Sequence, residues 1–144
     1  MSRTSIILTS GVCSLMVALA GGLGILPFAK AQETSQATTA WFQQAQAEQG
    51  HQLFNNYCAQ CHRPDLSGAI GPALKGAAFL NKWTGQPLSV LYNFEHTKMP
   101  LNAPDSLPDT TLFPITAYIL QKNGYAAGSA PLDQAALAQT LPKP

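Results

Sequence analysis

The chain has 144 residues and a formal net charge of +1, from 8 basic and 7 acidic side chains. This length predicts one domain, or two at most. The near-neutral balance, without a block of basic residues or a run of like charge, excludes nucleic acid and a strongly steered partner from the expected functions.

The amino-terminal segment predicts export. Arg3 precedes an uncharged, mainly apolar run over residues 6–26, and the tripeptide "AKA" at 29–31 has the small-x-small pattern that signal peptidase recognises. We therefore expect a signal peptide over residues 1–31 and a periplasmic protein. The alternative is an uncleaved membrane anchor, because the run approaches the length of about 20 residues that spans a bilayer. We expect a membrane to be a partner only if this segment is retained.

The next part of the chain predicts a helix and then a loop. Residues 32–39 are small and polar, which is typical of a flexible lead-in. Residues 40–57 have apolar side chains at a period of about 3.6 residues, which predicts a helix. Gly50 inside it either lets a second helix approach closely or is a tolerated surface glycine. Several glycines and prolines over residues 63–76 then predict a loop.

Three further helices are predicted. One covers about residues 77–82, and another begins near Pro87, which suits a first helical position. A last amphipathic helix ends before Asn123-Gly124, a common helix stop. Pro114 removes a backbone hydrogen bond inside that helix, so we expect a start near residues 112–113 or a bend at Pro114.

The domain organisation follows from these elements. No strand pattern of useful length and no internal repeat is present, so the sequence predicts an all-α fold. The folded domain is expected over residues 40–128, with a carboxy-terminal tail over 129–144. The loops are long for a domain of this size and need something to pack against.

The segment "NYCAQCH" contains Cys58, Cys61 and His62, and three uses of this pattern compete. A zinc site needs two more Cys or His ligands, and His51 and His96 are not in zinc-finger spacing. A thioredoxin-like redox pair expects a strand and a βαβ context, whereas a predicted helix precedes this motif. The third use is covalent haem attachment, for which Cys-x-x-Cys-His is the signature.

Haem attachment has a physical rationale. Two thiols one helical turn apart can reach both vinyl groups of one haem, and the adjacent histidine can then face the iron. Attachment also consumes both thiols, which suits an oxidising compartment where free thiols are uncommon. We therefore predict one covalent haem c bound through Cys58, Cys61 and His62.

The second axial ligand is predicted from the remaining candidates. Met99 is the only methionine after the predicted signal peptide, and it lies in a loop with Pro100 behind it. Methionine opposite histidine raises the reduction potential of an electron-transfer haem. We predict that Met99 is this ligand, with His96 or His51 as the alternative.

These motifs resemble those of class I c-type cytochromes. The matching segments are "GHQLFNNYCAQCH" (50–62), "GPALKG" (71–76), "TKMP" (97–100) and "ITAYILQKNG" (115–124). They occur in the family's order. The resemblance implies a small all-helical fold in which the amino- and carboxy-terminal helices cross, with short helices and long loops around one haem.

The resemblance also implies site residues. Cys58 and Cys61 would carry the thioether bonds, and His62 and Met99 would be the proximal and distal ligands to iron. The carbonyl of Pro72 would accept the His62 Nδ1 proton, a bond that fixes ring orientation. Gly50 and Phe54 would face the crossing helix, near Tyr118 and Ile119. Trp83 would lie by the haem or its propionates; the alternative is a place in the core.

The predicted function is electron transport without bond chemistry. Two segments, 83–107 and 117–132, resemble cytochromes that accompany quinoprotein alcohol dehydrogenases. The expected partners are therefore a periplasmic dehydrogenase upstream and an oxidase or another cytochrome downstream. The alternative is a haem-based sensor or peroxidase-like enzyme with an open or labile distal site, where His96 would be the acid–base group.

Overall fold

Residues 39–144 are described in the computed structural model of the protein. The expected signal peptide, and all of the lead-in except its last residue, lie outside this range. The described chain is mainly helical, which confirms the predicted fold class. In chain order the elements are β1 (Ala40–Gln43), α1 (Gln44–Tyr57), α2 (Ala59–His62), α3 (Ala77–Trp83), α4 (Leu88–Lys98), α5 (Asp109–Lys122), β2 (Ala126–Gly128) and a 3₁₀ helix (Gln134–Ala138).

Helices α1 and α5 pack directly against each other at Gly50. A Cβ atom built on Gly50 would lie 1.8 Å from the backbone oxygen of Pro114, so only glycine permits this approach. One turn further along, the Phe54 and Tyr118 rings are 5.5 Å apart. The contact between the two helices and the close-approach role of Gly50 are therefore confirmed.

Helix α5 begins earlier than the sequence predicts. It starts at Asp109, and the amides of Thr111 and Leu112 both donate to the Pro108 carbonyl. The predicted start near residues 112–113 was therefore wrong. Pro114 has no backbone N–H, so only the hydrogen bond to the Thr110 carbonyl is lost. Because Thr110 is exposed, a water molecule can donate to that carbonyl instead. A bend at Pro114 stays a prediction.

The predicted stop of α5 is confirmed. Gly124 has a φ of 87°, in the left-handed region that favours glycine. Its amide donates to the Gln121 carbonyl at 3.1 Å, and the Tyr125 amide donates to the Leu120 carbonyl at 3.2 Å. This pair of bonds is the Schellman motif, which satisfies the last free carbonyls of a helix.

Residues 40–43 were predicted as helix but form a strand. Strand β1 pairs in parallel with β2, and the Trp41 ring meets the edge of the Tyr125 ring at 5.8 Å. The prediction was wrong because Trp41 and Phe42 also fit a helical period. The partner strand, "AAG", has none of the β-branched or aromatic residues that predict a strand. Its small residues instead let β1 approach closely, because a Cβ atom built on Gly128 would lie 2.3 Å from the Cβ of Ala40.

The segment predicted as a tail packs against the helices. Leu132, Leu137 and Leu141 are buried. The amide of Leu88 donates to the Gln139 carbonyl at 2.8 Å, and the amide of Leu141 donates to the Gln86 carbonyl at 2.9 Å. Residues 129–144 therefore cover the start of α4 and contribute to the core. The domain boundary at residue 128 stays a prediction.

None of the helices within residues 39–144 has the length and apolar character needed to cross a membrane.

Gly50→Ala is expected to destabilise the protein by about 1–3 kcal/mol, because the added methyl group collides with a backbone oxygen that cannot rotate away. Gln52→Ala, at an exposed position of the same helix, is the matched control and should change the unfolding free energy by less than about 0.5 kcal/mol. Denaturant unfolding of the three proteins measures both effects. Equal stability of the two variants would contradict the packing described.

Candidate functional site

A single large cavity brings together all the predicted site residues. Its volume is about 940 Å³, and its walls are mainly apolar. The loop after α2, helices α3 and α4, and the loop before α5 all contribute to it. The predicted site residues that line it are Cys58, Cys61, His62, Pro72, Trp83 and Met99.

The backbone around Cys58 positions the motif. Helix α1 ends at Tyr57, and Cys58 adopts a non-helical conformation with φ of −122° before α2 begins. The amides of Cys61 and His62 both donate to the Cys58 carbonyl, at 3.1 and 3.0 Å. This tight turn directs both cysteines and the histidine into the same cavity.

His62 is buried and held in one orientation. Its Nδ1 lies 2.8 Å from the Pro72 carbonyl oxygen, which can only accept, so Nδ1 carries the proton. In the neutral ring Nε2 is therefore unprotonated and free to bind a metal. The hydrogen bond that the resemblance implies is present.

Gly71 leaves the space that the His62 ring occupies. A Cβ on Gly71 would lie 2.5 Å from Cε1 and 2.8 Å from Nδ1 of the His62 imidazole. Any side chain at this position would therefore push the ring aside. Sequence reasoning treated Gly71 as a loop glycine, and only its place directly before Pro72 hinted at this role.

The burial and raised pKa of the Cys58 thiol argue against a role in thiol–disulfide exchange. Burial first, and then the charges of Glu95 and Cys61, raise the pKa of the Cys58 thiol to about 12. Reactive redox cysteines have the opposite shift, because the thiolate is the nucleophile. Cys58 and Cys61 are also not joined by a disulfide.

A zinc site is not supported either. Among the residues that the structure describes, no three His, Cys, Asp or Glu side chains converge as a metal site requires. Structural zinc sites use four such ligands. Cys58, Cys61 and His62 therefore lack the partners that this alternative needs.

Met99 is the one candidate for the second axial ligand that lines the cavity. It follows the last residue of α4, and its amide donates to the Glu95 carbonyl at 3.0 Å. His96 Nδ1 is instead 2.8 Å from Asp105 Oδ1, and the His51 ring stacks on Tyr118 at 4.8 Å. Neither histidine lines the cavity, so the structure does not bring these alternatives to the site.

Trp83 is both a core residue and part of the cavity wall. It is buried, and its ring lies 6.4 Å from that of Phe79 and 5.7 Å from that of Phe94. Lys82 Nζ lies 4.5 Å from the Trp83 ring centroid and 4.4 Å from that of Phe94. The two interpretations of Trp83 are therefore compatible.

Glu95 is a polar residue in this cavity that the sequence reasoning missed. It is buried, and the Thr116 hydroxyl donates to its Oε2, but its Oε1 has no partner. Burial raises the pKa of this carboxyl to about 8, against a partly opposing effect of the Thr116 bond. The sequence does contain a pattern that indicates this burial. The buried face of α4 includes Leu88, Leu91 and Glu95 at helical spacing, so a carboxyl group occupies a core position.

Asn123 is a second residue whose role was missed. Its side-chain amide donates to the Leu74 carbonyl and its Oδ1 accepts from the Gly76 amide, both at 2.9 Å. Asn123 was predicted only as a helix stop. It also ties the loop that carries Pro72 to the end of α5.

Comparisons with known proteins place the chain beside one family and one solved structure. A family model described as cytochrome c oxidase, cbb3-type, subunit III matches residues 45–119. One similar solved structure is the crystal structure of the sulfane dehydrogenase SoxCD from Paracoccus pantotrophus, with 28% sequence identity and a TM-score of 0.47. That alignment covers 76% of this chain and 61% of the SoxCD chain. No curated protein matches the chain.

The raised pKa of Glu95 predicts a pH-dependent stability. Because the folded-state pKa of about 8 lies above the ordinary value of 4.5, the folded protein binds the proton more tightly than the unfolded chain. This contribution to the unfolding free energy is complete below about pH 4.5 and is lost as the pH rises through about 8. Glu95→Gln, which stays neutral, should lack this decline.

Denaturant unfolding at about pH 5 and about pH 9 measures the difference between the wild type and Glu95→Gln. The control is Glu48→Gln, which removes an exposed carboxylate from α1 and should keep the wild-type pH dependence. Parallel pH profiles for the wild type and Glu95→Gln would contradict the prediction.

Proposed function

The chain belongs to the family described as cytochrome c oxidase, cbb3-type, subunit III, and from this we propose that it is a periplasmic electron carrier with a single covalent haem c. A c-type cytochrome domain carries covalently bound haem and transfers electrons. The proposal adds to this the single haem, its two axial ligands, the exported location and the partners.

The observation that carries the proposal is the set of donor groups in one apolar cavity. Two thiols, an imidazole with a free Nε2 and a thioether line the same space. Thiols can bond to the vinyl groups of haem, and imidazole and thioether are the usual axial ligands of electron-transfer haems. The residues present therefore fit this cofactor.

We assign the roles as follows. Cys58 and Cys61 would carry the thioether bonds of the haem, and His62 Nε2 and Met99 Sδ would bind its iron. Pro72 holds the His62 ring, and Trp83 covers part of the cofactor. When bound, the haem supplies one-electron transfer between its ferrous and ferric states.

The chain supports this chemistry by keeping the site rigid and dry. The His62 imidazole is held by its hydrogen bond to the Pro72 carbonyl. It also packs closely against Gly71, where any side chain would displace the ring. The buried side chains of Phe79, Leu112 and Ile115 exclude water from the cavity walls. Ligands that stay in place in both redox states keep the reorganisation small.

The sensor or peroxidase-like alternative is not favoured. It requires an acid–base group beside an open iron position, and His96 was the candidate. His96 is bound to Asp105 and does not line the cavity.

We propose that partners dock at the mouth of the cavity. Ile70 and Leu101 both line it and are 83% and 77% exposed. The net charge of +1 gives the chain only a weak long-range electrostatic attraction to a partner. Docking would therefore depend on these apolar side chains, and its affinity would change little with salt concentration. The donor would be a periplasmic dehydrogenase, with a quinoprotein alcohol dehydrogenase as the first candidate, and the acceptor an oxidase or another cytochrome.

Purification from the membrane and soluble fractions, with identification of the dehydrogenase that copurifies, tests the partner. Reduction of the haem when the substrate of that dehydrogenase is added would support the proposal. A haem that stays oxidised with an active quinoprotein dehydrogenase would exclude that donor.

Met99→Ala tests the proposed ligation. The ferric wild type should show the weak near-infrared methionine-to-iron band, and the ferrous form should not respond to carbon monoxide. In the variant the band should be lost, carbon monoxide should bind, and the reduction potential should fall, because a thioether ligand favours the ferrous state. Lys98→Ala, an exposed neighbour outside the cavity, is the control and should behave as the wild type. A variant that keeps the band, or a wild type that is high-spin and binds ligands rapidly, would contradict the proposal.

A further inference from the structure

The loop that carries Met99 is tied together at its two ends. His96, in the last turn of α4, and Asp105, before α5, make two contacts. His96 Nδ1 donates to Asp105 Oδ1 at 2.8 Å, and the Asp105 amide donates to the His96 carbonyl at 3.0 Å. The segment between them is therefore a closed loop, with Met99 inside it.

The backbone of Asp105 is shaped for this contact. Its φ of 61° lies in the left-handed region, which aspartate enters more readily than most residues. Within the loop the Ala103 amide donates to the Pro100 carbonyl at 2.8 Å, and the Ser106 hydroxyl, just beyond Asp105, donates to the Ala103 carbonyl at 2.6 Å. These bonds join residues close together in the chain, whereas the two contacts between His96 and Asp105 join the ends of the loop.

His96 is itself held in place from α5. Its ring lies 6.2 Å from that of Tyr92, one helical turn earlier. The Tyr92 hydroxyl donates to Asp109 Oδ1 at 2.5 Å, and the Tyr92 ring stacks on Phe113 at 4.5 Å. His96 is thus the end of a chain of contacts that begins in the first turns of α5, and Asp105 attaches the loop to it.

We propose that His96 and Asp105 form a clasp that keeps the Met99 loop closed over the cavity. Both are positioning residues, since they act on Met99 and line no part of the cavity themselves. The inference rests on the proposed ligation by Met99. It predicts control of loop opening with little effect on global stability, because Asp105 is 69% exposed and exposed pairs contribute little to unfolding free energy.

The test uses purified protein with its haem and follows cyanide binding to the ferric form, which requires Met99 to leave. Asp105→Gly keeps the left-handed backbone accessible and removes the side chain with its carboxylate, and His96→Phe keeps an aromatic ring but removes Nδ1. Each should speed cyanide binding about three- to tenfold, the effect of losing one hydrogen bond. The double variant should match the single ones, because both remove the same contact. Asp105→Asn keeps an acceptor and should stay near the wild-type rate.

Two controls separate the clasp from other causes. Lys75→Ala breaks a comparable exposed pair, between Lys75 and Asp65 at 3.3 Å on the His62 side, and should leave cyanide binding unchanged. Hydrogen exchange of the non-proline amides over residues 99–105 reports loop opening without reference to iron. If Asp105→Gly exchanges no faster than the wild type and binds cyanide at the same rate, the clasp is wrong. If the wild type lacks the methionine band but Asp105→Gly still speeds exchange, the clasp stands and the ligation by Met99 fails.

Discussion

The contact of α1 with α5 at Gly50 is the constraint on which the site depends. The backbone of Pro114 occupies the space that a side chain at position 50 would need. The two helices can therefore pack this closely only where Gly50 meets Pro114. This fixes how the end of α1, which leads into Cys58, lies relative to α5, whose Ile115 and Ile119 line the same cavity. At the end of α5, Asn123 then binds the loop that carries Pro72. One helix contact therefore sets the distance between the cysteine motif and the opposite wall.

The sequence predicted which residues would lie together better than it predicted the bounds of the elements around them. Short motifs define the site, and each specifies a local conformation: the turn at Cys58, the proline carbonyl for His62 and the loop after α4 for Met99. Such features depend on neighbouring residues and on chemistry that few other residues can supply. All six predicted site residues consequently line one cavity.

The errors concern features that depend on distant partners. Strand β1 exists because "AAG", some 85 positions later, comes beside it. The final segment looks like a tail because its apolar residues are widely spaced, yet Leu132 and Leu141 are buried against elements far away in sequence. A pattern of nearby residues contains none of this information.

The two sides of the cavity are held by unequal means. His62 is buried and is fixed by a hydrogen bond to Pro72 and by the contact with Gly71, so its release would require the core to open. Met99 is half-buried in a short loop, and the contact that closes this loop includes the exposed side chain of Asp105. Local opening follows the regions with fewest buried contacts. The Met99 side should therefore open first, and the residues that regulate this opening lie at the surface, outside the cavity.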